Sequence, residues 1–161
     1  MADLTVTVKE EILLPNNNVE STNNVSIISG VNQVVRRIDT ITTSFSGSGV
    51  EILKFVDSES QQLAGSFVKQ DTKYIRITHI SGSSPITLYL LQTDEESVLF
   101  ELEPKKTFML GNAEFNASQA GDYVHESYVD ETYYSSLVNF DTIKAKASGS
   151  NAQIEYFVAS S

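Results

Sequence analysis

Strict alternation of apolar and polar side chains runs through this chain, and it constrains the fold more than any other feature. Ile86, Leu88 and Leu90 alternate with Thr87, Tyr89 and Leu91. Ile143, Ala145 and Ala147 alternate with Lys144 and Lys146, and Ile154, Tyr156 and Val158 with Gln153 and Glu155. Near the start Leu4, Val6 and Val8 alternate with Thr5, Thr7 and Lys9, and Val98, Phe100 and Leu102 oppose Leu99, Glu101 and Glu103. A period of two places one set of side chains on a buried face and the other toward solvent, which is a strand signature. Val25–Ser29, Gln33–Phe45, Val50–Asp57, Leu63–Lys69 and Tyr74–Ile80 are further strand candidates. Turn clusters separate the runs: PNNN at 15–18, SGSG at 46–49, SGSSP at 81–85 and SGSN at 148–151. The Asn-rich piece 16–24 reads as a turn region.

Many short strands with few helical windows predict an all-β fold, an antiparallel, jelly-roll-like β-sandwich. With 161 residues the chain is expected to form one domain, 1–161, large enough to bury a core without staples. The expected core takes Val6, Val8, Ile52, Ile75, Ile77, Leu88, Leu90, Phe100, Ile143 and Ile154. The pattern fails over 111–137, which reads as a long irregular loop or insertion, and such insertions in compact domains are functional or disordered.

Composition removes several function classes. There is no cysteine, hence no disulfide framework, thiolate zinc site or cysteine nucleophile. The net charge is −10, and ten of the 21 acidic residues lie between Asp94 and Glu131 against two lysines. Such a chain is repelled by phosphate backbones, so nucleic acid is not an expected partner. Asp3 and the Lys9-Glu10-Glu11 run do not make a signal peptide, and no apolar run reaches the roughly 20 residues of a membrane-spanning helix. No membrane partner is expected.

The stretch GDYVHESYVDETYY, 121–134, concentrates four of the seven tyrosines and one of the two histidines. Asp122, His125, Glu126 and Asp130 offer oxygen and nitrogen at roughly helical spacing. A transition-metal site needs two or more soft or imidazole ligands, and His79 lies far away in a strand. Neither an EF-hand pattern, nor G-x-S-x-G, nor a complete H-E-x-x-H occurs. GSG at 47–49 lacks the strand–helix context of a phosphate loop. His79, in ITHI, reads as a strand residue at a surface or satisfied position. The two N-x-[ST] sequons, at Asn24 and Asn116, read as coincidence. No catalytic residue, no metal and no cofactor is therefore assigned, and the chain reads as a non-enzyme. Tyrosine suits interfaces, being rigid and amphipathic. Tyr123, Tyr128, Tyr133 and Tyr134, with Asp122, Glu126 and Asp130 as a polar rim, are the expected contact surface. Two other readings stay open: rings covering the sandwich edge, and a platform for sugars.

Several segments together resemble small virion structural proteins of tailed phages, marine ones in particular. They are the opening LTVTVKEEILLPNNNVESTNNVSIISGVNQVVRRIDTITTS, the middle ILKFVDSESQQLAGSFVKQDTKYIRITHI, FELEPKKTFML, and the closing IEYFVASS. The resemblance spans most of the chain except 111–137. It rests on strand patterns, carries no catalytic residue, and departs at Ile77-Thr78-His79, where the family reads I-T-N. It implies a capsid decoration or cement protein on the virion's outer head surface, made in the host cytoplasm. Its partners would be the major capsid protein, whose capsomers it bridges, and copies of itself, as a homo-oligomer such as a trimer. A tail, neck or fibre component, or a carbohydrate-binding module for host attachment, is the alternative.

Overall fold

The computed structural model describes residues 2–15, 19–44, 47, 49–92, 97–111 and 140–161. Among the described residues eleven strands are formed: β1 (Ala2–Leu13), β2 (Val19–Val31), β3 (Gln33–Ile41), β4 (Val50–Val56), β5 (Ser66–Val68), β6 (Thr72–Ser81), β7 (Ile86–Gln92), β8 (Ser97–Leu102), β9 (Thr107–Gly111), β10 (Phe140–Ala147) and β11 (Ala152–Ser160). The single helical turn among the described residues is a 3-10 turn at Glu59–Gln61.

Strands β3 to β11 form two sheets, ordered β3-β11-β6-β9 and β5-β4-β10-β7-β8. Four antiparallel pairs are nested in sequence: β3 with β11, β4 with β10, β6 with β9, and β7 with β8. A long double-stranded ribbon rolled on itself gives this order, so the all-β expectation resolves into a jelly roll. The antiparallel expectation needs one correction. β5 pairs parallel with β4 over three residues, because it returns through the 3-10 turn rather than a tight hairpin.

The inner faces of the two sheets meet in one continuous core. Ile75, Ile77, Ile154 and Val158 come from the first sheet, and Leu53, Ile86, Leu88 and Ile143 from the second. Alternation placed these strands correctly: Ile143, Ala145 and Ala147 are all buried, and so are Ile154, Tyr156 and Val158. Of the ten expected core residues, three differ. Phe100 faces inward opposite Leu88 but remains 39% exposed, because β8 is an edge strand; its ring packs against Phe108 at 4.8 Å between centroids. Val6 and Val8 are only half-buried, because β1 belongs to neither sheet.

His79 is fully buried. Its Nδ1 lies 3.3 Å from the Leu102 carbonyl oxygen and its Nε2 lies 3.1 Å from that of Ser81. A neutral ring donates its one N–H to one of these two carbonyls, Leu102 at the end of β8 or Ser81 on β6 itself. Lys69 bridges Asp57 and Asp141. Burial alone would lower its pKa, but the hydrogen bonds to the two carboxylates outweigh that and raise it.

Candidate assembly surface

β1 and β2 form a separate two-stranded antiparallel sheet. The expected turn at 16–24 is therefore shorter than the sequence suggested: residues 19–24 already belong to β2. Directly opposed residues of an antiparallel pair share a face. Leu4 opposes Ile28 and Val6 opposes Ser26 on one face; Thr5 opposes Ile27 and Thr7 opposes Val25 on the other.

Only the root of this ribbon is anchored. Ile28 and Val31 are buried, with Leu4 and Val6 against them, on Tyr74, Phe157 and Ala159 from the outer face of the β3-β11-β6-β9 sheet. Tyr74 and Phe157 meet edge to face at 6.0 Å, and the Arg76 guanidinium lies over Phe157 at 5.6 Å. Tyr74 fits because its register partner is Gly111: a Cβ there would stand 2.3 Å from the ring. Burial pushes the Tyr74 hydroxyl pKa up, and Arg76 partly opposes this.

Beyond the root, both faces of the ribbon are open. Residues 9–13 and 19–27 are all exposed. Ile12, Leu13, Val19, Val25 and Ile27 are each more than half exposed. A two-stranded ribbon in water is marginal at best, because it has no layer to pack against. Five large apolar side chains on such a ribbon make a surface that gains by being covered.

The sheet carrying the arm also carries all three arginines of this acidic chain: Arg36 and Arg37 on β3, and Arg76 on β6. Glu155 is buried between Arg36 and Arg76 and bonded to both; Arg36 Nε donates at 2.8 Å. The Arg36 hydrogen bond, working against burial and helped by the charges of both arginines, holds the Glu155 carboxyl below the usual range. Arg37 pairs with Asp39 at 3.0 Å.

A groove of about 430 Å³ opens where β3 faces β4 and β5. Arg37, Asp39, Glu51 and Lys54 line it over Phe67 and Tyr156. Its charges balance, and both rings lie buried in the floor rather than presenting an open stacking platform. Burial raises the Tyr156 hydroxyl pKa, reinforced by Asp39 and opposed by Arg37. No three His, Asp or Glu side chains gather into a cation cage among the described residues.

Tyr123, Tyr128, Tyr133, Tyr134, Asp122, Glu126 and Asp130 lie outside the described residues. The apolar arm, which the sequence reading did not single out, is the surface that the described residues offer. One signal for it was present: Ile27 and Ile28 are adjacent, so a strand through them puts apolar side chains on both faces, and one of the two must lie away from any single core. The chain matches no protein-family model, no curated protein and no solved structure.

Proposed function

We propose that this protein is a non-enzymatic structural subunit of a phage particle, a decoration or cement protein of the outer head surface, and that the β1–β2 arm joins it to its neighbours. The observation that carries this is the distal arm: a two-stranded ribbon with exposed apolar side chains and no core of its own. Jelly rolls serve as viral capsid and lectin domains, so the fold suits the reading without selecting it. The likeness of the strand segments to small virion proteins supplies the rest. On this reading the subunit is made in the host cytoplasm, sits against the major capsid protein, and bridges capsomers. A closed oligomer such as a trimer matches the lattice axes on which such proteins bind.

The test is copy number on purified particles of the encoding phage, measured by quantitative gel. Hundreds of copies per particle support the head surface. Tens or fewer move the protein to the tail, neck or fibre. Absence from particles overturns the proposal. A saccharide-binding module is the rival from another class; the β3–β4 groove, its aromatic floor buried, offers it no open stacking platform, and the tyrosines of 121–134 lie outside the described residues.

A further inference from the structure

We infer that β2 of one copy adds as a strand to the open edge of β3 in a second copy, extending its four-stranded sheet. This rests on the reading of the arm as a joining element and names its acceptor.

Three requirements select β3. The acceptor needs a free backbone edge, exposed apolar side chains, and a charge opposite to the arm's. β3 pairs with β11 on one side and with no other strand among the described residues. The same holds for β2, which pairs only with β1. Main-chain hydrogen bonding along two free edges is the general basis of strand addition. β3 has nine residues, long enough to seat the exposed part of β2. Its outward side chains include Val34 and Ile38, 51% and 53% exposed, and a register that sets Ile27 opposite Ile38 makes one directly opposed apolar pair.

Charge decides between acceptors. The arm tip carries Glu10, Glu11 and Glu20 against Lys9, which is already paired with Glu11 at 2.6 Å. Two arms laid together would oppose these glutamates, a like-charge contact that disfavours arm–arm pairing. β3 brings Arg36 and Arg37, whose side chains are 65% and 66% exposed; Arg37 is paired with Asp39, while Arg36 and Arg76 share the single charge of Glu155, which leaves a net positive charge beside this edge. The other edges fit less well. β5 has three residues, and β8 carries exposed Glu101. β9 follows Lys105 and Lys106, but it gives five residues and a single exposed large apolar side chain, Met109.

The cysteine-free chain allows a direct test with single cysteines. Ile27→Cys on the arm and Ile38→Cys on β3 replace exposed residues in the full-length protein. The two variants are mixed, oxidised gently and run on non-reducing gels, with association followed in parallel by sedimentation. The expected result is a mixed disulfide dimer forming about tenfold faster than either variant couples with itself, because a seated strand raises the local thiol concentration. Equally fast coupling of Ile27→Cys alone overturns the β3 assignment in favour of arm–arm pairing. Faster coupling of Ile27→Cys with Met109→Cys overturns it in favour of β9. Both of those results leave the arm as a joining element. Self-association with no arm cross-link overturns the inference, and so does a chain that stays monomeric at high concentration. The monomeric result would also remove the arm from self-assembly, leaving only the capsid as its partner.

Discussion

Replacing Ile28 with alanine is expected to undock the arm while leaving the sandwich intact. Ile28 is 3% exposed, and its cluster contains only Val31, Tyr74 and Ala159, with Leu4, Val6 and Phe157 at the margin. None of these belongs to the main core between the sheets. Ile→Ala removes about three carbon groups at roughly 0.8 kcal/mol each, or about 2.4 kcal/mol before any cavity term. Because the cluster is small and separate, that loss falls on the docking equilibrium rather than on global unfolding. At about 1.4 kcal/mol per decade it raises the undocked fraction roughly 50-fold. Native-state hydrogen exchange reads this directly. Amides at the arm root, around Leu4 to Val6, should exchange roughly 50-fold faster, while those of Ile75, Ile77 and Ile154 keep their rates. The main melting transition should move by less than about a degree. Ile77→Ala is the contrast: Ile77 is fully buried in the main core, and the change should cost about 2–5 kcal/mol, or roughly 6–15 °C. If Ile28→Ala lowers the main transition as Ile77→Ala does, and the arm amides exchange in step with the sheet, arm and sandwich are one cooperative unit. The reasoning that treats the arm as a separable connector is then wrong.

The double change Val25→Thr and Ile27→Thr keeps β-branching but removes exposed apolar surface; monomer melting should hold within about 0.5 kcal/mol while self-association, read by sedimentation, weakens by about tenfold or more. Gly111→Ala places a Cβ 2.3 Å from Tyr74 and should cost about 1–3 kcal/mol through displacement of the ring that seats the arm, seen as loss of the Tyr74–Phe157 contact in aromatic NMR spectra. Glu155 has a depressed folded pKa, so its stabilisation is present above the unfolded carboxylate range, near pH 4.3, and is lost as pH falls through the lower folded value. Glu155→Gln should therefore lower stability by about 1–3 kcal/mol at pH 7 and flatten that part of the acid limb in denaturation measured from pH 7 to pH 2.

The legible part of the sequence was face, and the illegible part was neighbourhood. Alternation told which side of β7, β10 and β11 points inward, because a period of two is local. It treated Leu4, Val6 and Val8 in the same way, although their sheet has two strands and no second layer, since the alternation of β1 is that of a sandwich strand. Phe100 shows the same limit: its face was correct, but its edge position depends on strand order. The parallel β4–β5 pair is three residues long, too short for any period to register. The Arg36–Glu155–Arg76 cluster joins side chains up to 119 positions apart and becomes visible only once β3, β11 and β6 lie side by side. His79 gave a chemical identity without an environment, and burial between two carbonyls fixed its role.

Strand order also governs when the acceptor edge can exist. β11 lies between β3 and β6, so the sheet that bears the arm's seat has its central strand supplied after every other strand of the sandwich has been synthesised. Before β11 arrives, β3 and β6 have no shared partner, and Tyr74 lacks Phe157 and Ala159. Pairing over such sequence separations is slow, because loop closure precedes its reward. The arm is therefore synthesised before its seat, and a nascent chain that stops short of residue 152 has no finished sheet on which to dock it. The interval between arm synthesis and sheet closure is when the exposed ribbon is most open to premature association.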